Sequence, residues 1–161
     1  MSTGRIEMQG KAANSACELV TVTVGGQLFG IPVLQVQDVL GPQRITRIPL
    51  APSEIAGSLN LRGRIVTAID VRVRLGLAQV AEAAGRMSVV VEHGAELYSL
   101  LVDSVGEVLT IDLAACERNP GTLHAFWRDV SAGIYKLEGQ LLVVLDVSRL
   151  LGLSQRVSDA A

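Results

Sequence analysis

A chain of 161 residues can bury roughly 70% of its unfolded surface, so folding needs neither disulfides nor a metal. The composition is 49% hydrophobic and the formal net charge is −2, a balance that predicts no strong attraction to nucleic acid or acidic lipid. No apolar run approaches the roughly 18 residues of a membrane span, and the first residues lack the apolar core of a signal peptide. We therefore expect a cytoplasmic protein that does not insert into the membrane.

In chain order, residues 1–16 and 154–161 are small and polar, and we expect both to be disordered tails of a domain over residues 17–153. Between the tails, short apolar runs bounded by turn residues predict many strands. The predicted strands are 19–24, 27–33, 44–48, 59–61, 65–69, 87–92, 96–102, 104–111, 130–137 and 140–145. Tight two-residue turns are predicted at 25–26, 62–63, 93–94 and 138–139.

Two short helical segments are predicted in the first half. Pro52 is suited to opening a single helical turn, which Gly57 would stop. Asp70 stands where the N-cap of a helix over residues 71–75 would be, and Gly76 where that helix would end.

The remaining segments are less regular. Residues 78–86 are rich in Ala and are interpreted as the connection between two halves, and residues 112–121 as an irregular loop. A break is expected near Gly106, and the pattern leaves residues 123–129 open. Many short strands with Gly turns favour small barrels over a sheet of βαβ units.

The chain contains an internal repeat. Residues 57–77 resemble residues 133–153 at an offset of 76, and residues 29–40 resemble residues 98–109 at an offset of 69. Two matches in the same order indicate two similar half-domains in tandem, over about residues 17–80 and 81–153.

The sequence contains no motif of a known catalytic chemistry. There is no GxGxxG, phosphate-binding loop, HExxH or GxSxG pattern. His93 and His124 are interpreted as turn or surface residues, and Asp70 and Asp146 as equivalent helix caps. Two histidines and the two cysteines Cys17 and Cys116 have unrelated spacings. We therefore predict reduced thiols, no metal site, no cofactor and no catalytic residues.

Arg62 is an unusual residue in the predicted turn at 62–63. Its repeat counterpart is Glu138, so the fold does not require an arginine at this turn. Arg62 is either a solvated turn residue or an anchor that pairs with an acid on this protein or on a partner. An alternative function would use Arg62, Arg64, Arg72 and Arg74 as a phosphate-binding stripe for nucleic acid. The negative net charge and the 3% content of aromatic residues count against this alternative.

The central stretch, NLRGRIVTAIDVRVRLGL, resembles the signature segment of the CheW-type chemotaxis coupling proteins. In that family an Asn-Leu-Arg-Gly hairpin precedes an apolar strand and an Asp-x-Arg-x-x-Leu-Gly turn. FGIPVLQVQDVL, RITRIP, LLVDSVGEVL and KLEGQLLVVLD are similar to further family segments in the same order. The resemblance covers about residues 18–153.

The resemblance implies an all-β fold with short helices, in which two five-stranded barrels of the Src-homology-3-like type are intertwined around a groove. It implies a scaffold without enzymatic activity or cofactor that bridges the cytoplasmic tip of a chemoreceptor to the regulatory domain of the histidine kinase CheA. Further copies of the adaptor in receptor arrays, on the inner face of the membrane, are a third implied partner. No nucleic acid is implied.

The resemblance also assigns roles to particular residues. Arg62 matches the receptor-contact arginine, and Asp38 matches an acidic position that pairs with it. The remaining positions matched to receptor binding are Val36, Gly63, Val105 and Val108. The positions matched to kinase binding are Gly57, Leu59 and Asn60.

Overall fold

The computed structural model describes residues 16–77, 86–121, 123 and 125–152. The predicted tails lie outside these residues except for Ala16, and so does the predicted connection except for Arg86. His124 also lies outside them.

The described part of the chain is mostly β-structure with a few short helices. Its strands are β1 (Ala16–Val24), β2 (Gln27–Pro32), β3 (Val36–Leu40), β4 (Ile55–Leu61), β5 (Arg64–Asp70), β6 (Met87–His93), β7 (Glu96–Val102), β8 (Ser104–Asp112), β9 (Ser131–Leu137) and β10 (Gln140–Leu145). Its α-helices are α1 (Val71–Arg74), α2 (Ala125–Val130) and α3 (Val147–Leu150). Two single 3₁₀ turns span Val33–Gln35 and Leu113–Ala115.

Most local predictions are confirmed. The Asp70 carboxylate accepts a hydrogen bond from the backbone N–H of Arg72, and Asp146 accepts one from Arg149, so both aspartates cap short helices. Gly76 follows α1 with a φ of 77°. The ladder between β1 and β8 is bulged around Gly106, where a break was expected.

Three local predictions are wrong. Residues 44–48 form no strand; only Thr46 makes an isolated bridge, to Ser58. Residues 52–54 form a tight turn, closed by a hydrogen bond from Ile55 N to Pro52 O, and not a helical turn. Gly57, which was expected to stop that same helical turn, lies inside β4. The third β-hairpin turns at residues 94–95, one residue later than predicted.

Strands from both halves of the chain build each sheet. Sheet 1 has the order β8-β1-β2-β10-β9, and sheet 2 has the order β3-β6-β7-β5-β4. Exchanging the two halves of the repeat converts one order into the other. Each sheet contains one parallel pair, β2 with β10 and β5 with β7, which joins the two halves of the chain. One antiparallel pair in each sheet, β1 with β8 and β3 with β6, joins them as well. The boundary predicted near residue 80 stays a prediction.

The predicted all-β class with two five-stranded lobes of the Src-homology-3-like type is confirmed, although neither sheet is a closed barrel. A single bridge of two backbone hydrogen bonds spans the open side of each sheet. Thr46 bridges Ser58 on β4 with both N···O distances at 2.8 Å, and Glu117 bridges Ile134 on β9 at 2.7 and 2.9 Å. The lobes therefore close through isolated bridges and not through a fifth strand pair.

The largest apolar cluster lies between the two sheets, and a smaller cluster fills the interior of each lobe. β10 illustrates why the strands read as continuous apolar runs. Its Val143 and Leu145 face the shared cluster, whereas Leu142 and Val144 face the interior of sheet 1. Strands buried on both faces need apolar residues at successive positions.

An ion pair also joins the lobes. Asp103, between β7 and β8, accepts two hydrogen bonds of 3.0 Å from the Arg72 guanidinium and one of 2.9 Å from the backbone N–H of Gly25. Burial raises the pKa of Asp103, but these hydrogen bonds and the charges of Arg72 and Arg86 outweigh it and lower the pKa below its ordinary value. The Asp103 contact therefore fixes α1 against the turn between β1 and β2.

Gly57→Ala should destabilise the protein by about 2–3 kcal/mol, because a Cβ would stand 2.2 Å from the Thr46 carbonyl oxygen and the φ of 150° is unfavourable for other residues. Urea denaturation measures the loss. Gly41→Ala is the matched control, since a Cβ there meets nothing within 4 Å. Equal stability of the two variants would contradict the close approach.

Asp103→Asn should reduce stability at neutral pH and weaken the response to acid. A carboxylate with a lowered folded pKa stabilises the fold above its unfolded pKa, and that contribution is lost as pH falls through the folded value. Wild type should lose stability below pH about 4, and the variant should lose less. Thermal denaturation between pH 2 and 7 (roughly the range that titrates Asp) measures this. Asp129→Asn, the same change on an exposed residue of α2, is the control and should behave as wild type. An acid response in Asp103→Asn equal to that of wild type would contradict the stabilising role of the Asp103 carboxylate.

Candidate protein-interaction site

The turn between β4 and β5 presents Arg62 to solvent. Arg62 and Gly63 have φ angles of 53° and 85°, the positive pair that a two-residue hairpin turn of type I′ requires. The Asn60 side-chain oxygen accepts a hydrogen bond of 2.9 Å from Gly63 N and supports this turn. A positive φ is unfavourable for an arginine, so the turn holds Arg62 in a conformation that glycine would adopt more easily.

The predicted pair of Arg62 with Asp38 is present. Arg62 Nη2 lies 3.1 Å from Asp38 Oδ2 and donates a hydrogen bond to it. The other Asp38 oxygen accepts a hydrogen bond of 2.9 Å from Val39 N, which orients the carboxylate. The Arg62 side chain is 77% exposed, so water screens the pair and its contribution to stability is small. The arginine is held in place yet open to a partner.

A shallow pocket of about 150 Å³ adjoins this ion pair. Its walls come from β3, from the β4–β5 hairpin, and from the interior strands β6 and β7. The lining residues are Gln37, Asp38, Leu61, Arg62, Arg64, Val90 and Leu97. An apolar side chain of a partner would fit beside the charged rim.

The predicted apolar positions lie on β3 of sheet 2 and on β8 of sheet 1. Val36 and Val105 are half-buried against the shared core, whereas Val108 is 53% exposed. The 3₁₀ turn Val33–Gln35 contacts β1 and β6, the inner neighbours of β8 and β3. It presents Leu34 with 96% of its surface exposed. The predicted apolar receptor positions therefore flank the junction of the two sheets, and Leu34 is an exposed apolar residue there that the sequence pattern did not single out.

The three positions matched to kinase binding have structural roles here. Leu59 is buried in the interior of sheet 2, Gly57 is buried against the Thr46 backbone, and Asn60 supports the turn. Their contact with a kinase stays a prediction.

The arginine stripe of the nucleic-acid alternative is wrong. Arg72 is paired with Asp103, and Arg74 donates hydrogen bonds of 3.3 and 3.2 Å to the Leu150 and Arg149 carbonyls at the end of α3. Both guanidinium groups are used inside the protein, at the far end of β5 from Arg62. They form no continuous basic surface with Arg62 and Arg64.

The described residues offer no metal-binding arrangement. They contain no group of three potential metal-ligating side chains, and His93 ends β6 opposite Glu96. Cys17 and Cys116 are free thiols, and burial is the main cause that raises the pKa of each. Among the described helices, none is long and apolar enough to cross a membrane.

The fold consists of two joined small lobes. Its surface carries an exposed, oriented ion pair and exposed apolar side chains, and these features define a protein-binding module. The family model for the CheW-like domain matches residues 18–155. The chain belongs to the CheW-like domain family.

Known relatives agree with this assignment. The chemotaxis protein CheW of Rhizobium meliloti (strain 1021) is 26% identical over 143 residues, covering 89% of this chain and 92% of the relative. The chemotaxis protein CheW of Klebsiella aerogenes is 30% identical over 134 residues, covering 83% and 81%. The crystal structure of the scaffolding protein TtCheW from Thermoanaerobacter tengcongensis matches with a TM-score of 0.75 and 27% identity, covering 84% of this chain and 92% of that one.

Arg62→Gly should leave stability within about 1 kcal/mol of wild type, because relief of the positive φ offsets the loss of an exposed ion pair. Ala95→Gly is the matched control, because Ala95 has a φ of 69° in the next hairpin turn. This variant should gain up to about 1 kcal/mol, since relief of roughly 1–2 kcal/mol of left-handed strain exceeds the roughly 0.5–1 kcal/mol entropic cost of glycine. Urea denaturation compares them. A loss above about 2 kcal/mol in Arg62→Gly would mean that the arginine holds the fold and is not reserved for a partner.

Proposed function

We propose that this protein is a chemotaxis scaffold that couples chemoreceptors to the histidine kinase CheA. Its relatives are named chemotaxis proteins, and a structure of the same fold at 27% identity is named a scaffolding protein. In this proposed function the protein has no catalytic activity and acts by holding its partners together. It works in the cytoplasm, at receptor arrays on the inner face of the membrane.

The Arg62–Asp38 pair is the observation that carries this proposal. The Arg62 side chain is 77% exposed and donates a hydrogen bond to the half-buried Asp38 carboxylate. Because the pair is exposed and the backbone φ of Arg62 is unfavourable, the arginine contributes little to folding. It is well placed to recognise a partner, because an oriented guanidinium loses little conformational freedom on binding.

The receptor tip is the partner we assign to this site. The apolar face of a receptor helix would lie against the exposed valines of β3 and β8, Val39 and Val108, and against Leu34. Arg62 would bind a polar or acidic group at the edge of that helix and set its register. Val36 and Val105, half-buried beneath, would support the apolar floor. Gly63 would let the turn approach the partner backbone closely.

The regulatory domain of CheA and further copies of this chain are the other proposed partners. The kinase contact is assigned to the part of sheet 2 around Gly57, Leu59 and Asn60. Since Leu59 and Gly57 are buried, they would act by shaping the surface, and Asn60 would be the member that touches the kinase.

Arg62→Glu should weaken binding to a soluble receptor signalling tip at least about tenfold, because reversal replaces a charge-assisted contact with repulsion. Isothermal titration calorimetry measures the affinity. Arg118→Glu, which makes the same change on an exposed residue away from the site, should bind as wild type.

Other outcomes separate the parts of the proposal. Binding that survives Arg62→Glu would keep the scaffold function and reject Arg62 as the anchor. Absence of binding by wild type to receptors of the same cell, together with absence of binding to the kinase regulatory domain, would reject the scaffold function.

A further inference from the structure

A second and larger cavity lies in sheet 2, under the segment between β3 and β4. Its volume is about 580 Å³, within the range of roughly 300–1,000 Å³ that is typical of sites for small organic ligands. Ile45, Ile55 and Leu101 contribute apolar walls. No residue of the receptor or kinase assignments lines this cavity.

A buried ion pair forms part of the cavity wall. Arg86 is 7% exposed and Asp70 2% exposed, and they share two hydrogen bonds, from Nη1 to Oδ2 at 3.1 Å and from Nη2 to Oδ1 at 2.9 Å. Nη2 also donates to the Leu101 carbonyl at 3.2 Å. A guanidinium has five N–H groups, and the described residues offer no acceptor for the one on Nε. Arg86 therefore carries one buried N–H without a partner in the wall of the cavity.

The internal repeat shows that the fold does not need this pair. Asp146 is the counterpart of Asp70 and caps an equivalent helix, yet its side chain is 35% exposed and its cation, Arg149, lies 3.7 Å away at the surface. Helix capping therefore explains the presence of Asp70 and not its burial against Arg86. Because desolvating an ion pair is costly, the burial of this pair in only one of two equivalent lobes is a feature that the helix cap does not require.

The rim of the cavity carries two further signs of a binding site. Arg47 lines it, so the charged lining of two arginines and one aspartate has a formal excess of one positive charge. Leu50 lines it with a φ of 64° and a fully exposed side chain, an unfavourable conformation for leucine. Strained backbone of this kind is concentrated at ligand clamps and switches.

We propose that this cavity binds a small organic anion with an apolar body, of the class of medium-chain carboxylates. Its carboxylate would lie between Arg47 and the Arg86 guanidinium and balance the excess charge of the lining. Its chain would pack on Ile45, Ile55 and Leu101. This site is separate from the Arg62 site and does not depend on the coupling function.

Calorimetric titration of the full chain with sodium octanoate tests the proposal. We expect saturable binding with one octanoate per chain. Arg47→Gln should weaken it at least about tenfold, the value of one charge-assisted hydrogen bond. Arg44→Gln, an exposed arginine of the same segment outside the lining, should bind as wild type. 1-Octanol, which has the same chain without the charge, should bind at least about tenfold more weakly.

Ala56→Leu provides a second variant, because the larger side chain would narrow the cavity. It should abolish octanoate binding while thermal denaturation shows a folded protein; if it does not fold, Arg47→Gln and octanol still decide the question. Absence of saturable octanoate binding by wild type would overturn the proposal. Equal affinity for octanol, or unchanged affinity in Arg47→Gln, would also overturn it. Receptor-tip binding, measured in parallel, reports on the scaffold function independently.

Discussion

The two parallel strand pairs, β2 with β10 and β5 with β7, are the interactions on which the rest of the structure depends. Each joins a strand of one half of the chain to a strand of the other, so neither half can complete a sheet alone. The pairs also bring the inner faces of both sheets against one shared apolar cluster. Because antiparallel hairpins form locally and parallel pairs do not, the halves must fold together.

The candidate interaction site is a consequence of this arrangement. β3 and β4 are the outer strands of sheet 2, and the sheet curls until the segment after β3 meets β4 at the Thr46–Ser58 bridge. The same curling brings Asp38 within reach of Arg62 on the β4–β5 turn. In the other lobe the equivalent positions hold Glu107 and Glu138, two carboxylates that cannot pair. One fold repeated within a chain thus supports an ion pair at this position on one lobe only.

Features encoded within a few residues could be predicted. Glycine predicts turn pairs such as Arg62-Gly63. The position of Asp70 directly before an apolar run predicts that it caps a helix. The strand predicted over residues 44–48 does not form, because an alternating apolar pattern cannot by itself supply a partner strand. Only Thr46 finds a bridge partner, Ser58. The burial of Arg86 could not be predicted, because an arginine beside an Ala-rich stretch shows no local sign of burial. Its partner Asp70 lies 16 residues away in the sequence.

The sequence by itself determined most of the strands and turns, the internal repeat and the residues that resemble a chemotaxis coupling protein, since these depend on local pattern and order along the chain. The tertiary structure alone decided which strands share a sheet, that Leu59 is buried while Leu34 is exposed, and that Arg72 and Arg74 are used internally whereas Arg62 remains accessible. The reason is physical: burial and ion pairing depend on distances between residues far apart in sequence, which chain folding sets and local pattern does not record.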